Sequence, residues 1–487
     1  MIMNIWKENS MTVVSNVVCP VCGCCCDDIE LVIENNKIIE ARNACAMSAA
    51  KFENYSLHRN MDAYIRKNGE LTKASLDEAI RKSAEILAES SYPILYGWSS
   101  TSCEAIKVGL ELAEEIGGVI DNTSTVCHGP SILAAQDVGL VGTTLGQIRH
   151  RADLIIYWGS NPWSAHPRHM ERYAALSDGR FQRNMWRRIT ARIRADSVRK
   201  KITRIISIFF KRGKETPPRE AKESFEMLPS GERKLIVVDV RRTRSAELAD
   251  YFVQVKPGGD YDVLQALRAL IRDEELDVDE VAGVPVETLE EIADVMINCN
   301  LGVIFFGLGL TMSKGKLRNV EVAIKLTQDL NERTKFLIMP MRGHFNVTGA
   351  NTVFTWQTGY PYAVDFSHGY PRYNPGETSA IDVLRRGDAD AALVIASDPI
   401  SNFPREAARN LADIPLIVID PHLSLTALVA DVVIPSAFVG IEAEGTVYRM
   451  DHVPLPLKRV VDPPRGILSD EEILKRILEE VRRLKKS

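Results

Sequence analysis

Residues 16–30 read NVVCPVCGCCCDDIE, which places five cysteines within eight positions ahead of two aspartates. Thiols at this density crosslink the chain, hold a metal or carry redox chemistry. The chain has nine cysteines, six of them before residue 46. The N-terminus lacks the basic start, apolar core and small-residue cleavage site of a secretory signal, so a cytosolic location is expected, where disulfide frameworks do not persist. Metal binding becomes the default. Cys19-x2-Cys22-x3-Cys26 lets thiolates converge on one face, and the distant Cys45 closes the set. Four thiolates are the usual complement of a [4Fe–4S] cluster. A structural zinc site tends instead to show two similarly spaced pairs. Zinc and free thiols remain the alternatives, and Cys24 or Cys25 could replace Cys26 as third ligand.

Two other stretches carry chemistry-bearing residues. NTSTVCHGPS (122–131) sets Cys127 beside His128, followed by Gly-Pro, which marks a tight turn and puts the thiol at a loop tip. A thiolate there suits a soft metal or acts as a nucleophile activated by the adjacent base. A lone cysteine is otherwise a buried, inert side chain. MPMRGHFNVTGAN (339–351) places Arg342 and His344 in a glycine-punctuated loop after an apolar run. An arginine fork matches a carboxylate bidentately; the plain alternative is a solvated loop arginine.

The elements that must position these loops are legible as a repeat. ADLIIYWGSNPWSAHPR (152–168) with KLIVVDVRRTRSAELADYFVQVKPG (234–258) lines up with AALVIASDPISNFPRE (391–406) and IPLIVIDPHLSLTALVADVVIPSA (414–437). Each half has an apolar strand ending in small-residue turn chemistry, a second strand ending in Asp, a helix start and a third strand. Such period-switching runs predict βαβ units in a parallel sheet, and their recurrence predicts a duplicated α/β fold. In open α/β sheets ligands sit beyond the carboxyl ends of the strands. Gly159, Ser160, Asn161, Ser397 and Asp398 could admit phosphates to backbone N–H groups, and Asp239 and Asp420 are placed to bond sugar hydroxyls. The plain reading of the five turn residues is turn chemistry. FFGLGL (305–310) reads as a strand turning on Gly307 and Gly309.

Composition adds bounds. With 487 residues, 45% hydrophobic and 26% charged, the chain is an ordinary globular length for about three domains. The net charge of −5 gives no global sign of a nucleic-acid partner, and no apolar run approaches the ~20 residues that span a bilayer. One segment stands apart: residues 180–214 hold thirteen Arg or Lys against one Asp, with Ile189, Ile193, Ile202, Ile205, Ile206 and Phe209 at spacings suited to an amphipathic basic helix. It falls in the gap of the first repeat, and a contact with a partner protein is expected of it.

In their joint order, the cysteine set, VCHGPS, GSNP, VVDVRRT, VKPGGDYD, RGHFNVTGAN and ADVVIPSAFVGIEAEGT resemble the molybdopterin-dependent oxidoreductases, and more narrowly the B subunits of archaeal formylmethanofuran dehydrogenases. The resemblance covers nearly the whole chain except residues 177 to about 232. It supports Cys26 as third cluster ligand. It implies duplicated doubly wound lobes with a small N-terminal iron–sulfur domain and no C-terminal β-barrel cap: 1–62 for the cluster, 63–270 and 271–455 for two pterin-dinucleotide lobes, and 456–487 for a helical tail. The implied cofactors are a [4Fe–4S] cluster and tungsten or molybdenum bis(molybdopterin guanine dinucleotide). Cys127 would ligate the metal, with His128 and Arg342 facing carbon dioxide or formate, and His128 a candidate proton relay because its ordinary pKa is near working pH. Gly159, Ser160, Asn161, Asp239, Thr243, Asp260, Gly307, Ser397, Asp398 and Asp420 would contact the dinucleotides. The implied activity is two-electron reduction of carbon dioxide to formate, passed to an amidohydrolase-type partner that formylates methanofuran, with polyferredoxin donors and a cap subunit. A stand-alone formate dehydrogenase is the alternative. Many relatives carry a basic residue two positions after the fourth cluster cysteine; Met47 stands there, and Lys51 is the substitute expected.

Overall fold

The structure, a computed structural model, describes residues 11–179 and 232–486. The basic stretch 180–214 lies outside the described residues.

Two parallel sheets organise the molecule. In the first, the strands run Tyr251–Gln254, Lys234–Asp239, Leu154–Trp158, Gly302–Phe306, Phe336–Pro340 in spatial order, each parallel to its neighbour. In the second, a parallel centre runs Val432–Ile434, Leu416–Ile419, Ala391–Ile395, Pro93–Gly97, Val119–Asn122. Antiparallel strands extend both edges of this second sheet, giving nine strands among the described residues. The central strands LIIYW and AALVI are buried at every position. Unbroken apolar runs of that kind are what helices on both faces require.

The duplication extends into single hydrogen bonds. Gly159 N donates to Val238 O (2.8 Å) as Ala396 N donates to Ile419 O (3.0 Å). Asp250 accepts from Leu235 N at 2.8 Å and Asp431 from Leu416 N at 2.9 Å. Asn161 Oδ1 accepts from Ser245 Oγ (2.7 Å) where Asp398 Oδ1 accepts from Thr426 Oγ1 (2.5 Å). Both copies turn through a left-handed residue, Gly159 at φ 53° and Ala396 at φ 45°.

The contiguous boundaries 63–270 and 271–455 do not describe the strand distribution. The strands beside Leu154–Trp158 come after it in sequence (302–340), whereas the equivalent strands beside Ala391–Ile395 come before it (93–122). Each sheet therefore takes strands from both expected lobes. Local periodicity says that a strand is buried, not which sheet buries it. The last segment is packed into the molecule. Helix Asp470–Lys486 buries Ile473, Leu474, Ile477, Leu478 and Val481 in the core against helices Leu76–Glu89 and Cys103–Ile116.

The N-terminal unit is a three-stranded antiparallel sheet, Thr12–Val17, Ile29–Glu34 and Lys37–Arg42, followed by helix Ala46–Asn54. The cysteine-rich loop joins its first two strands and lies against residues 342–345, which follow the last strand of the first sheet.

Candidate active site and cluster cavity

Cys19, Cys22, Cys24, Cys26 and Cys45 line one small cavity. Cys45 is the N-cap of helix Ala46–Asn54, its Sγ accepting from Ser48 N at 3.4 Å. Cys19 Sγ donates to Ser48 Oγ (3.1 Å). Cys25 is turned elsewhere: at φ 38° its thiol donates to Phe345 O at 3.2 Å, outside the lining. Cys24 shares the cavity with Cys26, so the choice of third ligand narrows to those two. Burial drives the Cys19 thiol up to about 12 and raises Cys24 and Cys26 as well. Thiolates packed so closely need a positive centre among them, and a soft donor set of this size fits an iron–sulfur cluster. The two aspartates of the opening motif are ion-paired, Asp28 with Arg168 at 2.7 Å and Asp27 with Arg172.

Cys127 lies where the two sheets meet. Its loop leaves the second-sheet strand Val119–Asn122, and Asn122 caps the following turn by accepting from Ser124 N (2.9 Å). The Cys127 carbonyl accepts from Thr311 Oγ1 (3.1 Å), which follows the first-sheet strand Gly302–Phe306. The thiol is partly buried and pushed up to about 11 by that burial, against the pull of Arg342.

Arg342 arrives from the other sheet, two residues beyond Phe336–Pro340. It is 7% exposed. Its Nη1 donates to Asn351 Oδ1 (3.2 Å), its Nε has no hydrogen-bond partner, and no carboxylate among the described residues pairs with it. Desolvation pulls its pKa down to about 10, with Cys127 opposing the shift. The guanidinium opens on a cavity of about 410 Å³ also lined by Ser131, Ile132, Phe306, Pro340 and Trp356.

His128 is fully buried. Its Nε2 lies 3.1 Å from Met341 O, a carbonyl that can only accept, so Nε2 carries the hydrogen and Nδ1 takes the Ser131 hydroxyl at 3.1 Å. Burial, then Arg342, depress its pKa to about 3. That shift runs away from the ordinary pKa on which the proton-relay expectation rested, and the ring's two hydrogen bonds tie the two site loops together.

A further cavity of about 320 Å³ lies beyond the carboxyl ends of the second sheet, lined by Lys51, Ser100, Phe345, Ala396, Asp420 and His422 among others. Burial raises Asp420 to about 7. Lys51 is one helical turn past Met47. Burial lowers its pKa, while Cys19 and Asp420 both favour its charge, which places it between the cysteine cavity and this crevice. Met47 is 44% exposed.

The expected dinucleotide contacts fall at the carboxyl ends of the two sheets. Gly159, Ser160, Asn161, Asp239, Thr243, Asp260 and Gly307 cluster on the first; Ser397, Asp398 and Asp420 on the second. Many already have internal partners. Thr243 caps a helical turn through Ala246 N (3.3 Å), Asp260 accepts from Trp158 Nε1 (2.9 Å), and Asp239 accepts from Arg241 N (3.2 Å). Gly307 and Gly309 serve close backbone packing: a Cβ on Gly307 would stand 2.6 Å from Gly159 O, and one on Gly309 would stand 2.6 Å from Gly159 Cα. Arg342 Nε, in the lining of one cavity, and Asp470 Oδ1, in the lining of the other, are buried without partners. Unanswered polar atoms of this kind suit a large polar ligand.

Sequence reasoning missed Asn351, whose carboxamide joins Arg342 to Ser124 (3.0 Å). It also missed His166, whose Nε2 lies 2.8 Å from Arg342 O. A buried asparagine on the apolar side of helix Val347–Thr358 was the available signal.

Comparison with known proteins follows the same lines. The chain is 46% identical over 475 residues to the B subunit of tungsten-containing formylmethanofuran dehydrogenase 2 from Methanocaldococcus jannaschii, covering 97% of this chain and 99% of that protein. It is 43% identical to the Methanococcus maripaludis protein of the same name, covering 98% and 100%. Among solved structures it is similar to a chain of the formyltransferase/hydrolase complex FhcABCD from Methylorubrum extorquens, determined with methylofuran, at TM-score 0.62 and 23% identity over 87% of this chain and 100% of that one. No protein-family model matches.

Proposed function

The chain belongs to the family of formylmethanofuran dehydrogenase B subunits, which are oxidoreductases, and from that premise we propose that it reduces carbon dioxide to formate in a multisubunit assembly. The balanced half-reaction is carbon dioxide plus two electrons and one proton giving formate. When bound, a tungsten or molybdenum centre carried by two pterin guanine dinucleotides supplies the electron-pair exchange. Cys127 is the protein ligand to that centre, and the residues at the carboxyl ends of the two duplicated sheets hold the dinucleotides. Cys19, Cys22 and Cys45, with Cys26 or Cys24, hold a [4Fe–4S] cluster, and Lys51 bridges the gap to the crevice.

The observation that carries the reading is Arg342, a buried guanidinium with no carboxylate partner among the described residues, within electrostatic reach of Cys127 and in the lining of a cavity. An unpaired buried cation is costly unless its site receives an anion. Formate brings a full negative charge that carbon dioxide lacks, so Arg342 stabilises the charge as it develops. Asn351 holds the guanidinium in place, and His128 fixes the Met341 carbonyl beside it. The formate then passes to a formyl-transferring partner, another protein caps the crevice, and polyferredoxins deliver electrons.

Formate oxidation by the purified assembly tests the assignment. Arg342→Ala should lower kcat/KM for formate by roughly a hundredfold, the usual scale for losing one charge-stabilising donor. Arg342→Lys, which keeps charge but not the fork, should fall between. Equal activity in all three proteins would refute the role.

A further inference from the structure

The carbonyl side of the Arg342 loop is gripped by two segments distant in sequence. Gly23 N, in the middle of the cysteine loop, donates to Gly343 O at 3.1 Å, and Cys25 Sγ donates to Phe345 O at 3.2 Å. Cys22 and His344 form an antiparallel bridge between the same two stretches. Gly23 must be glycine for this approach, because a Cβ there would stand 2.4 Å from Arg342 O. From the opposite side, His166 Nε2 donates to that same Arg342 carbonyl at 2.8 Å from a side chain only 2% exposed. The carbonyls of Arg342, Gly343 and Phe345 are thus held by Gly23, Cys25 and His166, none of which lines the cavity that Arg342 lines. Loops that carry function are ordinarily adaptable. This one is held like a strand.

We propose that the cysteine loop and His166 set the position of the substrate-facing arginine, making Gly23 and His166 positioning residues for the anion site. The inference rests on the reading of Arg342 as the carboxylate receptor. The clasp ties assembly of the cysteine cavity to the competence of the anion site: unless residues 19–26 are folded around their cluster, the peptide carrying Arg342 lacks two of its anchors. His166 supplies the third independently of the cluster.

The test is formate binding by calorimetry to the purified assembly, with iron content and formate kinetics measured on the same samples. His166→Leu removes the donor and His166→Gln replaces it with an amide N–H of similar reach; Gly23→Ala forces the Arg342 peptide to move. His166→Leu should weaken formate binding about tenfold and raise KM more than it lowers kcat, with iron content unchanged. His166→Gln should recover most of the loss. Gly23→Ala should weaken formate binding at least as much in whatever fraction retains its iron. Wild-type formate affinity in His166→Leu, or equal weakening in the Leu and Gln variants, would overturn the proposal. An Arg342→Ala assembly that binds formate as well as wild type would instead overturn the reading of the anion site, leaving the clasp as packing alone.

Discussion

Burial governs the titratable groups around Cys127 more than their neighbours do. His128 is driven down to about 3 and Arg342 to about 10, while Cys127 rises to about 11, desolvation being the largest cause each time. Asp121, at the end of the strand that launches the cysteine turn, shows the consequence for stability. Its oxygens accept from Asn122 N (2.8 Å), Ala363 N (3.0 Å) and Ala380 N (2.7 Å), yet burial raises it from 3.8 to about 7. An acid with a raised folded-state pKa binds its proton more tightly when folded. Its contribution is complete below about pH 3.8 and is lost as pH climbs to about 7. Over that window unfolding free energy should decline with pH by up to about 1.4 kcal/mol per unit from this group. Asp121→Asn should lack that part of the slope in denaturant titrations run at several pH values; an identical slope in both proteins would contradict the assignment.

At the scale of elements, the repeat was legible because buried strands, turn residues and the Ala-Asp before each third strand all recur in sequence. Asn161 and Asp398 differ chemically but accept from equivalent hydroxyls, Ser245 and Thr426. The strands that complete each sheet were not legible. Gly302–Phe306 and Pro93–Gly97 occupy equivalent places but sit on opposite sides of their repeat units along the chain. Short apolar strands carry no record of their pairing partner. The terminal segment reads as one charged helix; what the sequence leaves open is that five of its apolar side chains are buried in the core. Removing residues 470–487 forfeits about 10 kcal/mol of burial, comparable with the whole stability of a typical protein. The truncated chain should fail to give soluble, cooperatively unfolding protein. A truncated chain with a wild-type melting transition would show that the helix is dispensable.

At the scale of the whole molecule, the cysteine loop, the Cys127 turn and the Arg342 loop come from three separate stretches, and the fold brings them side by side. The sequence singled out the three groups on which the proposal rests: Cys127, Arg342 and the cysteine set. It did not carry Asn351, His166 or the need for glycine at 23, because each acts through a contact more than a hundred residues away or through a helix face whose partner is unknown beforehand. No helix among the described residues is long and apolar enough to cross a membrane. The multisubunit reading expects the chain to co-purify with further subunits and to lose carbon dioxide reduction when separated from them. A lone chain with full formate dehydrogenase activity would favour a stand-alone enzyme.

The central claim is that the sulfur of Cys127 binds the catalytic metal between the two duplicated sheets. Cys127→Ala in the purified assembly, assayed for formate oxidation beside elemental analysis for iron, tungsten and molybdenum, tests it most directly. The account predicts iron at the wild-type level with turnover abolished; wild-type turnover in the variant would contradict it.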